Sequence, residues 1–334
     1  MRPSRSTHVL LIALFVRAVF LDLPRLAFAA PLGAGLAQEV SKQFDLEASK
    51  KLVRLADPQI SPDGKSIILV ASRANYQDNR WEKELVLVEI ATAAQRVLTY
   101  ERKDVNQPRW SPAGDQLAFL ASSPTGKEPK PQIFVLPMDG GEGKRITSVP
   151  NGVQHYAWRP DGKEIAFVTV DETQNPKIAD KEIAFEVGND HYLSASGAVS
   201  SHIWLVAASG GNPRRLTSGT WSLPVTLPPG SPSSPLSWSP DGKSIAFVKQ
   251  ATPHFGDFDQ RGVQIMDVAS GAIRGLTGGT LFEGHPSFSP DGSRIAYWYP
   301  RDGSPSNINE IHVTSAAGGA GTSLTRSLDR NLYR

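Results

Sequence analysis

The sequence predicts an all-β fold: a β-propeller of four-stranded antiparallel blades, five of them recognisable, in an incomplete ring. Three observations predict it. A Ser-Pro-Asp-Gly type of turn occurs five times, with prolines at Pro62, Pro112, Pro160, Pro240 and Pro290, spaced 50, 48, 80 and 50 residues apart. Each turn is followed by a short run that is apolar at successive positions, from Ile67-Ile68-Leu69-Val70 to Ile295-Ala296-Tyr297-Trp298. Each unit closes on Leu-Thr or Ile-Thr, at Thr99, Thr147, Thr217, Thr277 and Thr325. Four strands in about fifty residues is the size of a propeller blade. Solenoid coils are shorter, and a plain sandwich has no reason to repeat its sequence.

In chain order, residues 1–29 read as a signal peptide. Arg2 and Arg5 form a basic start, Val9 to Val16 an apolar stretch, and Ala27-Phe28-Ala29 a cleavage site before Ala30. A second cleavage option follows Ala37. Arg17 and Asp22 interrupt the apolar stretch and argue against a membrane span. The expected product is exported, periplasmic or secreted, with no membrane span. Of the 334 residues, 35 are basic and 33 acidic, a formal charge of +2. Removing the leader takes away four arginines and one aspartate, leaving 31 and 32. No basic field invites nucleic acid.

Residues 30–56 form a lead-in, with a short amphipathic helix expected over 45–55. The blades follow at about 57–100, 106–148, 153–218, 235–278 and 285–326, and residues 326–334 read as the start of a further blade. The turn chemistry is explicit. Proline presets φ at the second position, Asp63, Asp161, Asp241 and Asp291 suit the third, and Gly64, Gly114, Gly162, Gly242 and Gly292 take the left-handed conformation. The runs that follow are apolar on both faces, as a strand covered by a sheet on each side requires. Four of the five have alanine second, where a neighbouring sheet approaches closely. The third unit carries an insertion, Thr169 to Ser201, with a helical turn or two expected over 178–187. A long Pro/Ser-rich loop, Thr220 to Pro235, joins units three and four.

Recognisable catalytic and metal motifs are missing from the sequence. Without cysteine there are no disulfides, thiolate ligands or cysteine nucleophiles. No Gly-x-Ser-x-Gly elbow occurs. No histidine sits in a metal-ligand pattern, and His155, His285 and His312 read as structural, so neither metal nor cofactor is expected.

The Trp-Ser-Pro-Asp-Gly-Lys-x-Ile-Ala-Phe units resemble the WD40-like repeats of periplasmic TolB-type proteins and of the amino-terminal propeller of prolyl oligopeptidase family serine peptidases. Three features tilt toward the dipeptidyl-aminopeptidase/acylaminoacyl-peptidase branch: the lead-in to Leu55-Ala56-Asp57-Pro58, the insertion with Ala184-Phe185-Glu186-Val187-Gly188, and the ending Leu324-Thr325-Arg326-Ser327. The resemblance implies a Ser-Asp-His triad on an α/β-hydrolase domain downstream, no catalytic residue in this chain, and no hydrolysis by this chain alone. It also implies that carboxylates on a propeller insertion hold the amino group of a peptide substrate. Glu182, Glu186 and Asp190 are the candidates, although the family's adjacent Glu-Glu pair is not matched. The rival expectation is a non-enzymatic TolB-like propeller that docks a protein partner in the cell envelope.

Overall fold

The computed structural model describes residues 45–334, leaving aside 101, 123–129, 173–198, 225–234, 255–256, 258–259, 278–281, 329 and 331–334. A short helix, α1 (Leu46–Lys50), precedes the strands. Blade one is β1 (Val53–Ile60), β2 (Ser66–Asn75), β3 (Arg80–Glu89) and β4 (Gln95–Val97). Blade two is β5 (Lys103–Trp110), β6 (Gln116–Ser122), β7 (Gln132–Pro137) and β8 (Lys144–Arg145). Blade three is β9 (His155–Trp158), β10 (Glu164–Val170), β11 (Ser201–Ala207) and β12 (Arg214–Arg215). Blade four is β13 (Ser237–Trp238), β14 (Ser244–Gln250), β15 (Arg261–Asp267) and β16 (Ile273–Gly275). Blade five is β17 (Gly284–Phe288), β18 (Arg294–Pro300), β19 (Asn309–Ser315) and β20 (Thr322–Ser323). In every blade the four strands pair antiparallel in chain order. The turns therefore lie on one edge of the blades and the loops between second and third strands on the other.

The blades pack face to face through four apolar cores. These join blades one and two, two and three, three and four, and four and five. Five blades in a closed ring need a fifth core, and among the described residues there is none. The ring is open. The second strands record this in their burial. Leu117–Leu120, Ile165–Val168 and Ile245–Val248 are buried at every position, whereas in blade one Ile68 and Val70 are buried but Ile67 and Leu69 are half-exposed. In blade five Ile295 and Tyr297 face blade four, and Ala296 and Trp298 are half-exposed. The covering expected on both faces holds for the three middle blades and on one face for the outer two. Leu55 and Ile60 on the open side of blade one are 66% and 49% exposed.

The repeated turns stack from blade to blade. A Cβ on Gly114 would stand 3.3 Å from Pro62 Cδ, and one on Gly292 would stand 3.2 Å from Pro240 Cδ. Gly64, with no turn before it, faces open space. Within a turn, Ser61 Oγ donates to Asp63 Oδ1 at 2.6 Å and accepts from Ser66 N at 2.9 Å. The same pair recurs as Ser239–Asp241 and Ser289–Asp291. In blade two Ala113 cannot accept, and Asp115 takes the Ser111 hydroxyl at 2.7 Å instead.

A second set of contacts joins the first strands. Trp110, Trp158 and Trp238 donate their indole N–H groups to the carbonyls of Gln59, Arg109 and Ala157 in the blade before, at 3.2, 3.1 and 3.3 Å. The closing threonines are equally regular: Thr99, Thr147, Thr217 and Thr325 accept the N–H of the residue fourteen before, each at 2.9 Å. That N–H begins the apolar stretch of the third strand and would otherwise be an orphan donor. In blade four the acceptor is Glu283, which takes the Val263 N–H at 2.9 Å.

Several expectations are corrected. The helix ends at Lys50, because Val53 to Leu55 pair with Arg73 to Ala71 of β2. The Leu-Thr and Ile-Thr markers lie just past the fourth strands, free to turn the hydroxyl back onto the third. Thr169, Val170 and Ser201 belong to strands, so the insertion is narrower by these residues.

Candidate functional site

The insertion expected to carry function is anchored where it leaves and rejoins blade three. Asp171 N donates to Ser200 O at 2.8 Å, continuing the β10–β11 pairing by one step. The Asp171 carboxylate accepts from Arg215 Nη2 at 2.7 Å and lies 3.6 Å from His202 Nε2. His202 is fully buried, with Trp221 edge-on at 4.8 Å.

The hydrogen bonds assign the His202 tautomer. Nε2 lies 3.2 Å from the Gly219 carbonyl, which can only accept, so Nε2 carries the proton. In the neutral ring Nδ1 is then the acceptor, and the Thr217 hydroxyl, which accepts from Ile203 N, donates to it at 3.2 Å. Burial depresses the His202 pKa; Asp171 opposes that shift and Arg215 reinforces it. A neutral imidazole with both nitrogens engaged positions the base of the insertion and holds no spare lone pair for proton transfer.

Glu182, Glu186 and Asp190, and the helical turns expected over 178–187, lie outside the described residues. The structure therefore brings together the residues that root the insertion, and these the sequence reading missed. His202 stood alone in the sequence, while its partners Asp171, Thr217 and Gly219 are separated from it by up to thirty-one positions. The turn residues singled out from the sequence all lie in turns on the opposite edge.

The first strands of successive blades adjoin one another and form a polar hub. Arg109 Nη1 donates to Asp57 Oδ2 at 2.8 Å, linking blades one and two. Gln107 Nε2 donates to Gln154 O at 3.0 Å and its Oε1 lies 3.1 Å from His155 Nδ1, linking blades two and three. Asp57, Gln107 and His285 have φ of 49°, 50° and 51°, and each precedes a proline at a bulge. Proline cannot donate to the ladder, so the extra residue is accommodated there. Blades three and four have Tyr156 and Leu236 in the proline's place, and the β9–β10 pairing runs unbroken from His155 to Trp158. Among the described residues no group of three or more His, Asp or Glu side chains could hold a metal ion.

No family model matches the chain. It is 24% identical over 324 residues to dipeptidyl-peptidase 5 of Porphyromonas endodontalis, covering 89% of this chain and 44% of that protein. It is 28% identical over 246 residues to the uncharacterized peptidase YuxL of Bacillus subtilis, covering 74% and 29%. Both relatives are peptidases.

The chain spans less than half the length of either. Its fold is shared with two solved peptidase structures and with a TolB protein. Acylaminoacyl peptidase of Pyrococcus horikoshii superposes with a TM-score of 0.59 at 16% identity, over 85% of this chain and 41% of that one. The β-propeller domain of the Trilobed protease of Pyrococcus furiosus, described as an open velcro topology, gives 0.53 at 18%, over 84% and 73%. A putative TolB of Agrobacterium tumefaciens gives 0.52 at 20%, over 81% and 80%. The resemblance drawn from the repeats, to the propeller part of prolyl oligopeptidase family peptidases and to TolB-type propellers, is the one these comparisons return.

Proposed function

We propose that this chain is the propeller portion of an exported serine peptidase, admitting and orienting peptides for an α/β-hydrolase domain encoded downstream. The observation that carries the reading is the sequence match to two peptidases over most of this chain but less than half of theirs. A separate domain then supplies nucleophile and base, and the propeller supplies restricted access and orientation, which convert binding into rate. Blade three, with its rooted insertion, is where a peptide's amino group meets Glu182, Glu186 or Asp190. A carboxylate facing an ammonium at low dielectric sets how far a chain threads.

A TolB-like docking propeller is the second reading, favoured by one observation: the structural match covers 80% of the TolB chain, so that neighbour is mostly propeller. At 20% identity this match speaks for the fold alone. Sequencing the gene beyond codon 334 separates the two. A continuing frame with Gly-x-Ser-x-Gly, then Asp and His, supports the peptidase reading; a stop followed by an unrelated gene overturns it.

A further inference from the structure

The chain passes from blade two to blade three through the turn Val149-Pro150-Asn151-Gly152, in which Gly152 N donates to Val149 O at 3.1 Å. Proline stands second and glycine fourth, and Asn151 is not among the residues of positive φ, which is the type I arrangement. The turn is fastened to both blades. Val153 N donates to Pro131 O in blade two at 2.7 Å, and Gln154 N to Val168 O in blade three at 2.9 Å. Thr169 Oγ1 donates to Gly152 O at 2.6 Å. Asn151 Nδ2 donates to Val170 O at 3.2 Å and to Asp171 O at 2.8 Å, where β10 ends and the root of the insertion begins. Two carbonyls can only accept, so the amide nitrogen faces them.

Position dictates both residues. Asn151 supplies two donors on a short side chain. Gly152 is buried with a φ of 72°, and a Cβ there would stand 2.9 Å from Lys130 Cβ and 3.0 Å from Pro131 O. The fold thereby installs an Asn-Gly pair, which occurs once in the sequence, and leaves the asparagine side chain exposed to water. Glycine has no Cβ to hinder its own nitrogen from reaching the asparagine amide carbon. In the closed turn that approach is blocked: the Gly152 N–H is committed to Val149 O, and the Asn151 amide is tied to the end of β10.

We infer that Asn151-Gly152 is a deamidation site gated by this turn, silent while the turn is closed and reactive once β10 releases the side chain. In the open turn Gly152 N gives up its proton and bonds to Asn151 Cγ. The Cγ–Nδ2 bond breaks, and ammonia leaves with that proton. Water then opens the succinimide ring at either carbonyl, so that aspartate or isoaspartate stands at 151. Neither product restores the turn. Aspartate has no donor for Val170 O and Asp171 O, and it sets a carboxylate against two carbonyl oxygens. Isoaspartate lengthens the backbone by a carbon atom, beside a Gly152 already hemmed in by Lys130 and Pro131. A transient opening is thereby converted into a permanent loosening of the joint between blades two and three. The inference depends on neither reading of the protein's function.

Incubating the full chain at mildly alkaline pH, with and without urea, tests the gate by mass-spectrometric peptide mapping. Deamidation at Asn151 is expected in urea and should be at least about tenfold slower without it, as for a reaction that requires local opening. Asn151→Asp should exchange the Gly152, Val153 and Gln154 amides about tenfold faster than the parent, with the Leu85 amide of blade one unchanged. Asn151→Ser keeps one donor and should fall between the two, a second reading should Asn151→Asp fail to fold. No deamidation in urea would overturn the site, and equal rates in the two conditions would overturn the gate. Exchange no faster than the parent's in the substituted chains would overturn the loosening.

Discussion

Trp158 donates its indole N–H to the carbonyl of Arg109 in the preceding blade at 3.1 Å. The bond crosses between blades at the hub, so it joins two sheets that share no ladder. Trp158→Phe should keep the packing, as Phe288 does at the same place in blade five, while leaving the Arg109 carbonyl without its donor. A loss of about 1 kcal/mol is expected, read as a lower urea midpoint with an unchanged slope.

Two glycines separate the cost of a left-handed backbone from the cost of a collision. Gly64 and Gly114 have φ of 73° and 78°, but only Gly114 faces the preceding turn's proline. Gly64→Ala should cost about 1 kcal/mol for the backbone alone. Gly114→Ala should cost measurably more, because its Cβ would press on Pro62. Equal losses in thermal unfolding would refute the stacking of turns as a source of stability.

The blade-closing threonines predict a third contrast. Thr147→Ala leaves the buried Ile133 N–H without an acceptor and should cost about 1–3 kcal/mol. Thr277→Ala should cost less, since Glu283 already serves Val263. Amide exchange at Ile133 and Val263 reads the difference directly.

The sign of the pH dependence follows from the turn carboxylates. Ser289 and Ser293 hydrogen bonds hold the Asp291 pKa down to about 2 from 3.8. A depressed folded-state pKa means its stabilisation is present above the unfolded value and is lost as pH falls from about 4 through about 2. Asp291→Asn should flatten the acid limb of an unfolding series in that window. Glu283 has the opposite sign, because burial raises its pKa. Its contribution is most favourable below the unfolded value and declines as pH rises through the folded one.

Much of this architecture could be read from residue order. Pro62 to Gly64 and its four counterparts name a turn chemistry that local sterics enforce, and the apolar runs after them show which strands are covered. The count of units did not by itself decide between an open and a closed ring, since five blades can close; the open ring was expected from the family resemblance, and the one-sided burial of Ile67 and Ala296 emerges only from packing. The bulges at Asp57, Gln107 and His285 were written as X-Pro and can be read that way in hindsight. The root of the insertion was not legible, because His202 meets Asp171 and Gly219 through a sheet and two loops. Glu283 was hidden for a similar reason: that it takes the Val263 N–H in place of the closing threonine shows only in the packing.

Head-to-tail contact also gives the interface a polarity. Every blade meets its follower with a different face from the one it shows its predecessor, so the contact is heterologous rather than self-complementary. Blade one and blade five consequently expose complementary rather than identical surfaces. At the leading face Ile60 stands where blades two, three and four have an indole donor, so blade one brings no hydrogen bond of that kind to whatever covers it.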